Sequence, residues 1–299
     1  MSRIADIRQS VVDYRSTELI TGALQDISAT KMQFIRRDFE LNASFFTGVR
    51  EVYGIVKAHA LDMPRQGSGP AKVAATAAHG DPQTNAPSAQ QGKVKRDVYI
   101  ALTSNKRFYG TINRDIIRSL VRVVGTVQNS DFLVIGQTGA QYLDETGFRG
   151  TITRTEFADD TPNQQELQSV LSLIDSYARV FVIYPKFINT FRQDIAMTDI
   201  TQTPETAVTP DQKAEYIFEP EIPVMLAFFE RQVRRALFER VLLETDLARA
   251  AARALRMQDA KDRAGDLRKH LERSLQHELA TLADLELMET FIGFNFWKQ

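Results

Sequence analysis

The sequence predicts an α/β domain flanked by two very long helices that pair with each other as an antiparallel coiled coil. Three observations predict it. Proline is absent from residues 2–60, and in 221–292 it occurs only as Pro223, at the start, where a helix tolerates it. Apolar residues in both stretches recur at three- and four-residue steps, the stripe of a helix packing on a helix. Between the two stretches, short apolar strands alternate with helical segments, which argues a mainly parallel sheet. At about 1.5 Å per residue the C-terminal stretch alone would run about 100 Å, too long to be buried within its own domain. Each long helix lacks a covered face, and the economical solution is that they cover one another.

In chain order, the N-terminal helix (1–61) opens its stripe with Ile4, Ile7, Val11 and Tyr14. Ile20, Leu24 and Ile27 continue it, then Met32, Ile35 and Phe39, and Phe45, Val49, Val52 and Val56 complete it. Residues 62–95 change to Gly, Pro, Ser, Ala, Gln and Thr with almost nothing large and apolar, which predicts a flexible linker without chemistry of its own. The central domain (96–205) reads as strand 98–103, helix 114–127, strand 132–136, short helix 140–145, strand 151–155, helix 164–177 and strand 180–184. It is Rossmann-like in outline. A connector (206–220) leads to the C-terminal helix and an apolar tail (221–299).

The C-terminal stripe runs through Met225, Phe228, Val233, Leu237, Leu247, Ala251 and Ala254. Leu267, Leu271, Leu275, Leu282, Leu285, Met288 and Ile292 carry it to the tip. The alanines at 248, 250, 251, 252 and 254 permit close approach at its middle. From Arg231 to Arg273 the helix is thick with arginine, whereas from Glu278 onward only Lys298 is basic. Phe291, Ile292, Phe294, Phe296 and Trp297 then form an apolar cluster that the chain itself does not cover, the kind of patch that marks a protein contact, although Gly293 would let the tail fold back.

Composition excludes more than it assigns. The chain has 299 residues, 43% apolar and 25% charged, with a net charge of −1, so it has no bulk reason to coat nucleic acid or an anionic membrane. Zero cysteines exclude disulfides, thiolate metal sites and cysteine nucleophiles together. There is no run of eighteen apolar residues, and the start is amphipathic and charged, unlike a signal peptide, so the expectation is a soluble chain held at a membrane only by a partner.

No phosphate-binding motif appears either. The first strand runs into Ser104-Asn105-Lys106-Arg107-Phe108-Tyr109-Gly110 rather than a G-x-G-x-x-G turn, and no G-x-x-x-x-G-K-[ST] occurs. His59, His79, His270 and His277 have no metal-ligand spacing. Asp159 and Asp160 read as a turn and helix start, not as a general acid and base. The basic residues of 231–273 alternate with Glu239, Glu244, Asp246, Asp259, Asp262, Asp266 and Glu272, which reads as a solvated face with intrahelical pairs. No catalytic constellation, cofactor site or metal site is predicted.

Six segments carry a family resemblance in order along nearly the whole chain. Ile20-Thr21-Gly22-Ala23-Leu24 with Thr30-Lys31-Met32 resembles the "ITKAM…SKM" pattern of the γ subunit of F-type ATP synthases. Lys186-Phe187-Ile188-Asn189-Thr190 is similar to its "NKFINT", and Tyr216-Ile217-Phe218-Glu219-Pro220 to its "YxYEP". Ala251-Ala252-Arg253, Met257 and Ala264-Gly265-Asp266-Leu267 resemble "AARMxAM…NAGDL", and Glu286-Leu287-Met288-Glu289 falls where the family has "ELxEI". The departures are a loop with one glycine at 105–110 in place of "DRGLCGG", Leu279-Ala280 in place of Arg-Gln, the added 62–95 segment and the aromatic tail. Together they suggest a divergent branch.

The resemblance implies a rotor subunit without catalysis of its own. The paired helices would be an asymmetric shaft inside a ring of α and β subunits, with ATP chemistry on β. The α/β domain would stand at its foot beside the ε subunit and the membrane c-ring, on the cytoplasmic face of the cell membrane. The positions it singles out for subunit contact are Thr21, Lys31, Met32, Arg253, Met257, Gly265, Glu286, Phe291, Ile292 and Trp297. Gly265 stands out because glycine inside a helix costs about 1 kcal/mol relative to alanine. Two other classes stay open on the residues alone: a coiled-coil adaptor with an α/β head, and a Rossmann-type enzyme confined to the centre.

Overall fold

The computed structural model describes residues 2–62, 96–127, 129–148, 150–201 and 219–296. The first helix, α1 (Ser2–Asp62), and the last, α5 (Ile222–Phe296), are 61 and 75 residues long. They lie antiparallel along one another. Arg3 pairs with Glu278 at 3.1 Å, Arg268 with Glu18 at 3.0 Å, and Arg253 donates to the Ser28 hydroxyl at 2.8 Å. Farther down, Arg240 lies over the Phe39 ring, and Phe46 packs with Val233 and Ala236. As residue numbers rise on α1 they fall on α5, which is the antiparallel pairing the two stripes predict.

The seam corrects the stripe in detail. Burial on α1 follows an unbroken alternation of three- and four-residue steps, the heptad frame of a coiled coil. Ile4, Ile7, Val11 and Tyr14 lie on it, as do Met32, Ile35, Phe39 and Val56. In the same frame, however, stand Glu18, Thr21, Gln25, Ser28 and Asn42. Four predicted seam residues instead face outward: Ile20 (61% exposed), Ile27, Phe45 and Val52. Each is one residue from the true position, held by Thr21, Ser28, Phe46 and Tyr53. One residue is about 100° around a helix, so following apolarity alone steps off the seam wherever the seam is polar. On α5, Phe228, Leu267, Leu285, Met288 and Ile292 are likewise exposed.

The central domain carries β1 (Asp97–Leu102), α2 (Ile112–Val124), β2 (Ser130–Ile135), α3 (Gln137–Glu145), β3 (Thr153–Thr155), α4 (Gln164–Ile174), β4 (Val180–Phe187) and β5 (Gln193–Asp199). The sheet order is β3-β2-β1-β4-β5. The first four strands are parallel, with Ile100 opposite Leu133 on one side and Val182 on the other. β5 was not predicted. It adds antiparallel to β4 through a tight turn in which the Asn189 side chain accepts from the Phe191 and Arg192 amides, and its residues are half-buried, Met197 excepted, without the alternation of a one-sided strand.

Two apolar layers cover the sheet. One face packs on α4 and receives Phe238 and Val241 of α5. The other packs on α2 and α3 and receives Ala252. α5 thus runs past the domain as part of both cores, and from Thr245 to Ala252 every residue is buried, between α1 on one side and the sheet on the other. Here the helix has no solvent face, unlike the narrow stripe predicted. Beyond Leu282 the opposite holds: residues 283–292 are all exposed, past the level at which Arg3 of α1 meets Glu278.

Candidate functional site

In an open α/β sheet the ligand crevice lies beyond the carboxyl ends of the strands, where the strand order reverses. Here that point is at the carboxyl end of β1, between β1 and β4. It is filled by the protein. Thr103, the first residue after β1, donates to the Ile135 carbonyl at 2.7 Å, and a Cβ on Gly139 would come within 2.1 Å of its hydroxyl. The amides that open α3, which could have met a phosphate, are already taken: Gln137 donates to Asn105 Oδ1 at 2.9 Å and Thr138 to the Ser104 carbonyl at 3.0 Å. Asn113 exchanges hydrogen bonds with Ser104, donating to its hydroxyl and accepting from its amide.

The rest of the crevice is occupied by the shaft. Arg249 of α5, 4% exposed, donates to the Leu102 carbonyl at 3.2 Å and, at the long distance of 3.4 Å, to the Asp160 carbonyl. Asp246, also buried, accepts from the Thr161 hydroxyl at 2.8 Å and lies 3.4 Å from Arg249. Asp160 organises the loop after β1, accepting from the Asn105 and Lys106 amides and from the Tyr109 hydroxyl. Arg253 lies over the Tyr109 ring at 5.5 Å.

The electrostatics follow from this burial. Burial pushes the Asp246 carboxyl above the usual carboxylate range, against the pull of Arg249, Lys31 and the Thr161 hydroxyl. Burial works the same way on Asp160 but is outweighed by the Tyr109 hydroxyl, the Asn105 amide, the Arg249 charge and the Lys106 amide, which hold it below that range. Tyr109 is pushed well above an ordinary phenol, first by burial and then by its bond to Asp160.

Two readings of these residues are corrected. Asp246 is not part of a solvated mixed-sign face, because the sheet and α1 enclose that stretch of α5. Asp159 and Asp160 do not start a helix: Asn163 does, in a reciprocal capping box with Glu166, while Asp159 pairs with Lys106 at 2.6 Å. The junction of Asp160, Asp246 and Arg249 was missed altogether. The signal for it was the alanine run around Arg249, since a helix that is small on every side is enclosed on every side.

Nine of the ten singled-out positions separate into two groups. Thr21, Met32 and Met257 are buried in or beside the coiled-coil seam. Lys31 is half-buried, and Arg253 bonds Ser28 across the seam. Gly265 is buried where a Cβ would meet Glu18 Oε1 at 3.4 Å. Glu286, Phe291 and Ile292 stand on the bare tip, with Phe291 70% exposed, and α5 continues as helix through Gly293 without turning back. Trp297 lies outside the described residues, as do 63–95 and most of 206–220. Among the described residues no group of three His, Asp or Glu side chains lies together to hold a metal, and His270 and His277 are exposed.

Residues 3–293 match the family described as ATP synthase. Similar proteins include the ATP synthase gamma chains of a Psychrobacter species (strain PRwf-1), 24% identical over 283 residues and 89% of each chain, and of Psychrobacter cryohalolentis, 23% identical over the same shares. Among solved structures, the central stalk and c-ring of Tetrahymena thermophila mitochondrial ATP synthase contains a chain with a TM-score of 0.55 at 18% identity, covering 81% of this chain and 99% of that one. A chain of Euglena gracilis mitochondrial ATP synthase gives 0.50 at 13% identity over 93% and 97%. These two share the fold. With two end helices paired around an α/β domain whose ligand crevice is closed, and a family match along nearly its whole length, the chain belongs to the ATP synthase family, as a gamma chain.

Proposed function

We propose that this chain turns as the central shaft of an F-type ATP synthase, coupling ATP synthesis or hydrolysis on a surrounding ring to ion movement through the membrane. The observation that carries this reading is the bare tip of α5. Leu285, Leu287, Met288, Phe291 and Ile292 are exposed on the last turns of α5, which no other described residue covers, an apolar end suited to turning in a collar. The collar would be formed by three α and three β subunits, with ATP chemistry on β. At the other end the α/β domain would meet the ε subunit and the c-ring at the cytoplasmic face of the cell membrane. No helix among the described residues is long and apolar enough to cross a membrane, so attachment would come through the complex.

A single shaft with unequal sides touches the three β subunits differently at any instant, which is the differential contact needed to make their affinities differ. Glu286, Phe291, Ile292 and Trp297 are the positions for ring contact. Thr21, Met32, Met257 and Gly265 serve it indirectly, by setting how closely the two helices approach. The test is assembly of the complex with and without this chain. The isolated chain should hydrolyse no ATP, and ATP-driven ion uptake should require it; turnover by the pure chain, or uptake in complexes lacking it, would overturn the reading.

A further inference from the structure

We propose that Arg249 is the positioning residue that keys the α/β head to the shaft so that the two rotate as one body; the proposal rests on the rotor reading above. Apolar burial holds a shaft and a head together, but the hydrophobic effect has no preferred direction and leaves their relative orientation to packing shape and to polar groups. Phe238, Val241 and Ala252 provide contacts of that kind. A guanidinium has a fixed planar fork of donors, and what it holds is held in orientation.

Arg249 is placed where such a key is needed. One side chain on α5 reaches the last carbonyl of β1, at Leu102, and the carbonyl of Asp160 in the segment after β3. The neighbouring head residue is tied to the same helix by a second bond, from the Thr161 hydroxyl to Asp246. Asp160 in turn holds the loop after β1 through Asn105, Lys106 and Tyr109, and Arg253, one turn along α5, covers the Tyr109 ring. Two consecutive head residues are therefore clasped by α5, at a point where α1 adds Lys31 to the same field.

Stability does not account for this arrangement. Arg249 Nε is buried without a hydrogen-bond partner, and its closest carboxylate is 3.4 Å away. Replacing such a group by an apolar side chain of similar volume is often neutral or stabilising, whereas the charged group fixes a geometry. Two further polar links join head and shaft among the described residues, Arg234 to Asp175 at a partly exposed edge and Tyr184 of the sheet core to Glu244, and the test leaves both in place.

The test uses the whole complex in sealed vesicles, with ATP hydrolysis and ion uptake measured on the same sample, protons by a pH-sensitive dye and sodium by radioisotope. Arg249→Met keeps the bulk and removes the donors. Its complex should hydrolyse ATP near the wild-type rate while moving severalfold fewer ions per ATP. Thr161→Cys with Asp246→Cys, added to Arg249→Met and oxidised to a disulfide, should restore the ratio, and reduction should remove it again; the chain has no other cysteine. A wild-type ratio in Arg249→Met overturns the proposal, as does a proportional fall in hydrolysis and uptake, which is what a purely structural role produces. Should Arg249→Met not assemble, Arg249→Lys decides: it keeps the charge but cannot span both carbonyls, and an unchanged ratio overturns the proposal while a lowered one supports it. If the wild-type complex moves no ions, the rotor reading fails instead.

Discussion

Removing the Asp160 carboxylate tests how the head is held together at its junction with the shaft. Three donors converge on it: the Asn105 amide at 2.7 Å, the Lys106 amide at 3.2 Å and the Tyr109 hydroxyl. Asp160→Ala leaves all three without an acceptor, the Tyr109 hydroxyl in a buried site and the two amides in a partly buried one. At about 1–3 kcal/mol for each stranded donor, with partial relaxation, the loss should be about 4 kcal/mol, near the upper end for a point substitution. Asp160→Asn keeps an acceptor for the two amides but loses the charge and puts an Nδ2 donor where Oδ2 accepted from Tyr109, whose hydroxyl must turn to accept instead, so it should cost about 2 kcal/mol. The long coiled coil dominates circular dichroism, so the appropriate assay is amide exchange of the segment 103–111, with urea unfolding as the global measure. A loss below about 1 kcal/mol for Asp160→Ala, with unchanged exchange in that loop, would refute the reasoning.

The same carboxylate makes a pH prediction with a definite sign. Its folded pKa is depressed, so its contribution is present above the ordinary carboxylate value and is lost as pH falls through the lower folded value. Asp246 works the other way. Its folded pKa is raised, so it favours the folded state most under acid, and that advantage is lost as pH rises from the ordinary carboxylate value through the raised one. Asp160→Asn should flatten the acid limb of stability against pH, and Asp246→Asn should flatten the limb above it.

Three further outcomes are expected. Cysteines replacing Glu18 and Gly265, which face each other across the seam, should form a disulfide within one chain on a background free of cysteine, and dimer alone on a denaturing gel would contradict the antiparallel pairing. Gly265→Ala should be neutral or stabilising by up to about 1 kcal/mol, since it gains helix propensity and its Cβ meets only the movable end of Glu18, while Gly265→Leu should displace Glu18 from Arg268 and weaken coupling; unchanged coupling would show the glycine to be incidental. Trp297, the only tryptophan, should shift its emission to the blue when the ring assembles around the apolar tip, and identical spectra in free and assembled protein would argue against a collar there.

What was legible in the sequence followed from backbone rules. Two long stretches without interior proline became the two long helices, and the strand and helix alternation became a parallel sheet in the expected order. What was not legible depended on the identity of a neighbour. Ile20 and Ile27 looked like seam because they are apolar, yet Thr21 and Ser28 occupy it, satisfied by bonding back to their own helix at Thr17 and Leu24. β5 was missed because Gln193–Asp199 mixes Gln, Asp and Thr with Ile, Ala and Met and lies at a half-covered edge. Asp246 and Arg249 sit three residues apart on a helix, which is how an exposed pair is written, and only the enclosing sheet makes them buried.

The polar seam of the upper shaft has a consequence of its own. An antiparallel pair as long as α1 and α5 built from a uniform apolar seam could slip by a heptad and still bury equivalent surface, moving the tip by about 10 Å. Polar residues in the seam make the registers unequal. Arg253 with Ser28, Arg268 with Glu18 and Arg3 with Glu278 are satisfied in one register, and a shift of seven residues breaks all three at once. Some stability is given up for this, since Gln25 Oε1 is buried there without a hydrogen-bond partner. The apolar lower half, around Met32, Ile35, Leu247 and Ala251, supplies adhesion instead. A shaft that must present its bare tip at a fixed height above its head needs a fixed register more than it needs the last few kcal/mol, and a polar indexing stretch from Glu18 to Ser28 set between apolar adhesive stretches meets both requirements.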